Sequence, residues 1–432
     1  MKENLHGLLV GDDELAQVCR DLPDSACREQ PYNYARQVAS LSLTKVGEGL
    51  ADAKLVLAWL LDAVAAPTWT VGLLVPLRES LAMLPQLVIS ARIRQRSIRK
   101  SVYIAGCIVQ GLAIIGIGLA GLALTGLAAG LVAIGLITAF ALGRSLCSIS
   151  HKDVLAKTVD KGRRGSVSGT AGSIAAAATL VVAIGFSMGW IPLSVPVVAG
   201  TVVIGGTAWL LAAIVFSSIR EYPGASEGGI NGLRAVIAQL ALLRRDRPLR
   251  QLIATRALLL STALAPPFYI ALSGERQPGG LGTLGPFLMA SALASISSSY
   301  IWGRLADRSS RRVLMYAAAL AALSNAVAAF VALAMPGTIS APLLPAMLFA
   351  LMIAHQGVRL GRSVHVVDMA NLDNRAAYTA LSNSVVGLIL LAGGVFGVIA
   401  QLFGIGATLA LFAMMATAAI VAASRLDEVQ AA

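Results

Sequence analysis

Twelve long apolar stretches follow one another along this chain, at about 38–64, 71–91, 102–124, 127–149, 166–189, 194–218, 251–273, 281–302, 313–335, 340–361, 376–403 and 407–424. A helix of about 20 apolar residues crosses the hydrocarbon core of a bilayer. The pattern therefore predicts an all-α polytopic membrane protein with about twelve transmembrane helices. Only 13% of the residues are charged, against about 25% in soluble domains. The 432 residues accommodate these spans and leave no room for a large soluble domain.

Cations sort to alternate connections. Arg92, Arg94, Arg96, Arg99 and Lys100 fall in 92–101, and Lys152, Lys157, Lys161, Arg163 and Arg164 in 150–165. Arg220, Arg234, Arg244, Arg245, Arg247 and Arg250 fall in 219–250, and further basic residues in 303–312 and 362–375. The opposite connections, such as 65–70, 189–193 and 336–342, carry almost none, with Arg276 the exception. Lys and Arg are retained on the cytoplasmic side, so the bias predicts an even number of spans with both termini cytoplasmic, in a cytoplasmic (inner) membrane. The net charge of +12 is thereby read as orientation. No basic, aromatic-interleaved soluble module invites a nucleic-acid partner.

Residues 1–35 are polar and mildly acidic, with Asp12 or Asp13 placed to cap a short helix, and contain no apolar segment of signal-peptide length. They are assigned as a cytoplasmic tail. The cysteines Cys19, Cys27, Cys107 and Cys147 lack metal-ligand spacing, and no disulfide is expected of them.

The chain repeats itself. Leu142-Gly143-Arg144-Ser145 recurs as Leu360-Gly361-Arg362-Ser363, Arg96-Ser97-Ile98-Arg99-Lys100 parallels Arg308-Ser309-Ser310-Arg311-Arg312, and Leu50-Ala51 aligns with Leu264-Ala265. Similar offsets of about half the chain predict two homologous six-helix bundles, 36–218 and 251–425. Between them lies a cytoplasmic connection, 219–250, and after them a short cytoplasmic tail, 426–432. The connection opens Gly-rich and turns amphipathic over Leu233–Leu243. That stretch reads either as a helix on the membrane face or as a plain linker. Glycines such as Gly116, Gly118, Gly121, Gly393 and Gly397 let helix backbones approach. Pro76, Pro196, Pro266 and Pro267 are expected to interrupt helices.

Gly303 to Arg312 reads Gly-Arg-Leu-Ala-Asp-Arg-Ser-Ser-Arg-Arg and is expected to form a short cytoplasmic hairpin loop. Gly303, Leu305, Asp307, Arg308, Arg311 and Arg312 match a pattern that resembles the loop motif of the major facilitator superfamily of secondary transporters. In the first half Ala91 and Gln95 replace the corresponding glycine and aspartate. The resemblance implies two pseudo-symmetric six-helix bundles around a central cavity and alternating access. It also implies that the motif is a conformational latch, in which Asp307 neutralises an arginine or caps a helix.

Ionisable groups inside spans cost about 2.5–3.5 kcal/mol each at a helix centre, so they face the bundle interior or a watery cavity. The first span carries Lys45, Glu48, Asp52, Lys54 and Asp62. Lys45, Glu48 and Asp52 recur at three and four residues and share one helix face. They form a proton or ligand site in a cavity, or else belong to an interfacial helix that ends before Leu55. Arg78 and Glu79 adjoin in the second span and point in different directions, which favours other partners, such as Glu48 or Asp52 for Arg78. Arg144 and Arg362 occupy equivalent places in the two halves. Each needs a carboxylate, helix-end carbonyls or an anion, or snorkels to the membrane edge; Arg256 poses the same choice. In the resembled superfamily an arginine at the place of Arg144 is associated with proton coupling. His151 and His355 read as loop or satisfied core histidines.

No metal cluster, nucleotide-binding loop or nucleophile elbow is present in the sequence, so no cofactor is inferred and the chain is read as not an enzyme. The expected function is transport of a small solute, with protons as the candidate coupling ion and the bilayer as the surrounding partner, by a monomer. Glu48 and Asp52 are the proton candidates, and Lys45, Arg78 and Arg144 bind an anionic group or compensate those acids. The fifth span lacks the Gly-Pro-x-x-Gly-Gly pattern of the superfamily's drug antiporters, which lowers the case for a multidrug exporter. A non-transporting sensor or assembly partner on the same fold is the alternative.

Overall fold

The structure, a computed structural model, describes residues 27–85, 95–223, 246–276, 284–335, 342–369 and 375–430, with the single positions 89, 93 and 243. The expected cap at Asp12 or Asp13, Cys19, Arg92, Arg94, the amphipathic stretch Leu233–Leu243 save its last residue, and Arg244 and Arg245 lie outside the described residues, as does the side chain of Asp307. The described residues are helical without a strand. Nine of their helices are long and apolar enough to cross a membrane, which makes the chain a multi-pass membrane protein. Large apolar side chains such as Leu112, Leu119 and Leu122 stay exposed along a helix, as lipid-facing positions do.

The first span is a broken helix, α1 (Gln30–Leu50) and α2 (Val56–Ala63). It begins inside the stretch expected to be tail. The break falls where the Asp52 carboxylate accepts from the backbone N–H groups of Lys54 and Leu55, at 2.8 and 3.0 Å. An aspartate before a helix start satisfies amides that have no intrahelical partner. After α3 (Thr68–Met83) and α4 (Lys100–Ala123) comes α5 (Gly126–Thr158). Its 33 residues extend about 50 Å, well beyond the hydrocarbon core of about 30 Å. The stretch 150–158, expected as loop, is therefore helix. α6 (Arg164–Ser187) and α7 (Val195–Ser217) follow. Pro196 lies in the first turn of α7 and starts that helix rather than interrupting it, because a first-turn N–H has no partner to lose.

The seventh span is also broken, into α8 (Arg247–Leu258), α9 (Ser261–Leu264) and α10 (Pro266–Arg276). Pro266 and Pro267 cannot continue the hydrogen-bond ladder. The break after Leu264 matches the one after Leu50, in the register of the repeat. α11 (Leu284–Arg308), α12 (Ser310–Ala334), α13 (Leu343–Met369), α14 (Arg375–Ala392), α15 (Val395–Phe403) and α16 (Ile405–Ser424) complete the chain. Gly393 and Gly394 separate α14 from α15. α7 packs along α4 and α1, as α16 packs along α12.

The repeat extends to electrostatics. Glu221, just past α7, accepts from the backbone N–H groups of Arg99 and Lys100, at 2.9 and 2.7 Å, and from Lys157 Nζ at 2.9 Å. It thereby caps the start of α4, where the helix dipole favours an anion. Glu428, just past α16, takes the same place at α12. It accepts from the Ser309 hydroxyl at 2.7 Å and lies 3.5 Å from Arg311. The Glu221 carboxylate is fully buried. Its replacement by glutamine leaves Lys157 without its counter-charge, and is expected to cost about 3 kcal/mol. A lowered midpoint of thermal unfolding in detergent checks this, and an unchanged midpoint would remove Glu221 from the account of stability.

Cys27 is disulfide-bonded, contrary to the expectation of reduced thiols. Cys107 and Cys147 are free, with sulfurs 3.7 Å apart between α4 and α5.

Candidate functional site

Four charges from three helices meet inside the first half. Glu48 of α1 accepts a hydrogen bond from Arg144 of α5 and lies 3.9 Å from Arg78 of α3. Arg78 in turn bonds Glu79 at 3.2 Å. Two cations and two carboxylates balance, as an intramembrane cluster requires. Arg78 is buried, and its guanidinium lies over the Phe140 ring at 5.6 Å, a cation–π contact.

The neighbours Arg78 and Glu79, expected to turn apart, pair after all. The long arginine arm reaches round to its neighbour while staying near Glu48. Arg144 pairs with Glu48 and does not snorkel. Lys45 and Asp52 are not drawn into this cluster. Lys45 Nζ donates to the Ser168 carbonyl of α6 at 3.1 Å, and Asp52 is occupied as the cap described above. Because asparagine also caps helices, Asp52→Asn is expected to retain fold and activity, whereas Asp52→Ala loses about 1 kcal/mol. Thermal unfolding and flux measured on both variants separate capping from proton chemistry; loss of flux in Asp52→Asn would restore Asp52 as a proton carrier.

A second polar group bridges the two halves. Lys54 Nζ lies 2.9 Å from His355 Nε2 of α13, and His355 Nδ1 lies 3.1 Å from the Thr262 hydroxyl of α9. Thr262 donates its own proton to the Leu259 carbonyl at 2.9 Å. Nδ1–H therefore donates to Thr262, and the bare Nε2 accepts from Lys54. His355 is satisfied on both nitrogens, and it also links α13 to the break in the first span. His151 packs against the rings of Tyr103 and Phe216, on the helical extension of α5.

The principal cavity, about 600 Å³, lies between Met83 at the end of α3 and side chains of α8, α11, α13 and α14. Arg256, Trp302, Gln356, Arg359, Arg362 and Asn383 are among its lining residues. Its lining residues lie toward the helix ends that carry the Ser309 turn and Asp246. On the opposite face the halves touch. Thr68 N–H donates to the Gln401 side chain at 3.1 Å. Gly72 and Gly397 bring α3 and α15 so close that a Cβ on Gly72 would stand 2.5 Å from the Gly397 Cα. A Cβ on Gly285 of α11 would stand 2.6 Å from the Ser187 backbone nitrogen at the end of α6. On that face the halves are joined by direct backbone approach. Arg256 is buried at 5% exposure. It bonds the Ser382 hydroxyl, and the Asn383 side-chain oxygen at 2.8 Å.

The Gly303–Arg312 motif is not an open loop. α11 continues through Gly303 to Arg308, and Ser309 alone separates it from α12. Ser309 accepts from the Arg312 N–H at 3.1 Å and caps α12. Arg311 reaches the Glu428 carboxylate and the Leu426 carbonyl, so the C-terminal tail fastens this turn. A Cβ on Gly303 would meet nothing within 4 Å, and no close packing demands glycine there. Arg308 lies in the last turn of α11, where the dipole favours a cation.

Sequence reasoning missed His355 as a link, and Arg359 altogether. The spacing of 355, 359 and 362 places all three on one helix face, and that face was the available signal. Among the described residues no group of His, Cys, Asp and Glu is placed to hold a metal.

No protein-family model matches the sequence, and no curated protein matches it. Solved structures do. A mutant of the nucleoside transporter NupG superposes with a TM-score of 0.70 at 12% identity, covering 92% of this chain and 100% of that one. A POT family transporter in complex with 5-aminolevulinic acid gives 0.66 at 11%, covering 94% and 98%. The inward-open xylose transporter XylE from E. coli gives 0.62 at 11%, covering 91% and 95%. These identities carry the architecture and no substrate. With its broken first and seventh spans, its repeated halves and its cavity between them, the chain has the major facilitator fold.

Proposed function

We propose that this protein is a secondary transporter that carries a small solute across the cytoplasmic membrane by alternating access. The observation that carries this reading is the arginine-lined cavity of the second half, reached by Met83 of the first, together with the direct backbone approach of the halves on the opposite face. The two bundles, 36–218 and 251–425, are the moving bodies. The termini and the cavity end of the bundles face the cytoplasm in this reading, and the chain acts as a monomer. The transport functions printed for the structural neighbours (nucleoside, peptide and xylose) support transport as the class of activity.

Glu48 is the proton site. As a carboxylate it holds Arg144 and attracts Arg78. Once protonated it loses its charge, Glu79 alone faces the two arginines, and the cluster carries one cation in excess. Lys45 lies about one turn before Glu48 on α1 and interacts with its charge. The cluster therefore changes its net charge with one proton, which couples proton movement to the affinity of the cavity.

Reconstitution into proteoliposomes tests the proposal. With an imposed pH gradient and a pooled library of small metabolites, the expected result is gradient-dependent uptake or release of at least one compound class. Specific binding with no flux of the bound compound would overturn transport in favour of a sensor or assembly partner.

A further inference from the structure

We infer that the cavity selects a small organic anion with at least two negative charges, held by Arg256, Arg359 and Arg362. This inference rests on the transport reading and names the substrate class of its cavity.

Among the described residues the lining contains three guanidinium groups and no carboxylate. Arg256 is fixed by two neutral acceptors, Ser382 and Asn383. Its Nε is buried with no hydrogen-bond partner among the described residues, although the side chain is more than nine-tenths buried. A buried charge without a counter-charge is costly, and among the described residues the hydrogen-bond partners of Arg256 are neutral. Arg359 is exposed and Arg362 half-buried, both toward the cavity. Glu79 interacts electrostatically with both across the cavity, but its carboxylate is hydrogen-bonded to Arg78. Because Glu79 already balances the first cluster, the three cavity cations have no carboxylate of their own among the described residues, which favours a ligand with at least two negative charges.

The two halves differ here in a way the repeat makes visible. In the first half, Arg144 is paired with Glu48. The Leu50-Ala51 and Leu264-Ala265 register puts Thr262, a neutral hydroxyl, at the position of Glu48. Arg362, the counterpart of Arg144, therefore lacks the carboxylate that its repeat partner has. The missing anion is one that the solute brings. Guanidinium forks bind carboxylate and phosphoryl oxygens in two-point contacts, and about 600 Å³ suits a metabolite-sized ligand. The face of Trp302, whose indole N–H is spent on the Ile353 carbonyl at 2.9 Å, offers apolar contact to the carbon frame.

The test is binding to the purified full-length protein in an uncharged detergent, at constant ionic strength set by chloride salt. Thermal shift and intrinsic fluorescence are titrated with succinate, citrate, inorganic phosphate and glucose 6-phosphate, beside acetate and glucose. The expected result is a saturable response to a di- or trianion, absent for acetate and glucose. The succinate and phosphate arms tell a carboxylate from a phosphoryl ligand. Arg359→Gln and Arg362→Gln are each expected to weaken the response at least about tenfold, while the surface control Arg425→Gln leaves it unchanged. These two arginines reach open space, so the variants keep the fold, and an unshifted unfolding midpoint without ligand verifies that. A response to glucose equal to that of the anions, an anion response that survives in both variants, or none beyond chloride would overturn the inference. Gradient-driven flux of an uncharged solute without anion binding would overturn this site and leave transport standing. Anion binding without flux would do the reverse.

Discussion

Glu48→Gln is expected to abolish the pH dependence of flux and to reduce gradient-driven transport at least tenfold, while the protein stays folded. Glutamine keeps an oxygen that can accept from Arg144, so the hydrogen bond survives and only the charge is lost. The Glu48 and Arg144 side chains are about one-third exposed, and solvent screens much of their attraction. The stability cost is therefore about 1–2 kcal/mol. The functional cost is larger, because a glutamine holds the cluster permanently in the charge state of the protonated acid. Gradient-driven uptake and solute counterflow are measured side by side in proteoliposomes. Counterflow retained with the pH dependence gone places the proton on Glu48. Equal gradient-driven flux in wild type and variant would remove Glu48 from coupling and leave the fold assignment untouched.

Gly72→Leu is expected to drive the protein out of the conformation described here. The clash partner of a Cβ at Gly72 is backbone, the Gly397 Cα at 2.5 Å, so no side chain can swing aside and α3 must part from α15. Overpacking costs about 1–3 kcal/mol, which moves a two-state equilibrium by roughly 5- to 150-fold. Transport falls because the sealed state is a necessary stage of the cycle. Spin labels at Thr68 and Gln401, now joined across the seam, should show a lengthened distance in the variant. An unchanged distance with normal flux would show that this seam does not gate the cavity. Gly303→Ala is the control: its Cβ enters open space, and no change is expected although Gly303 belongs to the resembled motif.

The motif itself illustrates how far a pattern carries. It located the turn between α11 and α12, and with that the register of the second half. It did not indicate that the turn shrinks to Ser309, or that Glu428 and Leu426 of the tail hold Arg311. Proline was similarly ambiguous. Pro196 and Pro266 stand in the first turns of their helices, where the missing N–H has no partner to lose, whereas Pro76 lies inside α3 without ending it.

What the sequence determined by itself is the all-α, multi-pass character of the chain and the place of its apolar spans. Each follows from the free energy of one segment against lipid or water, which no distant residue alters. The placement of the breaks at Asp52 and Pro266 is local too, since an aspartate cap and a proline act on their own helix. Only the tertiary structure decided which charges meet. Glu48 and Arg144 are 96 residues apart, and Lys54 and His355 are 301 apart. Whether such groups touch depends on the rotation and tilt of the packed helices and on the reach of long side chains. The same packing drew Arg78 to both Glu48 and Glu79, and left Arg256, Arg359 and Arg362 around one cavity with no carboxylate among its described lining residues.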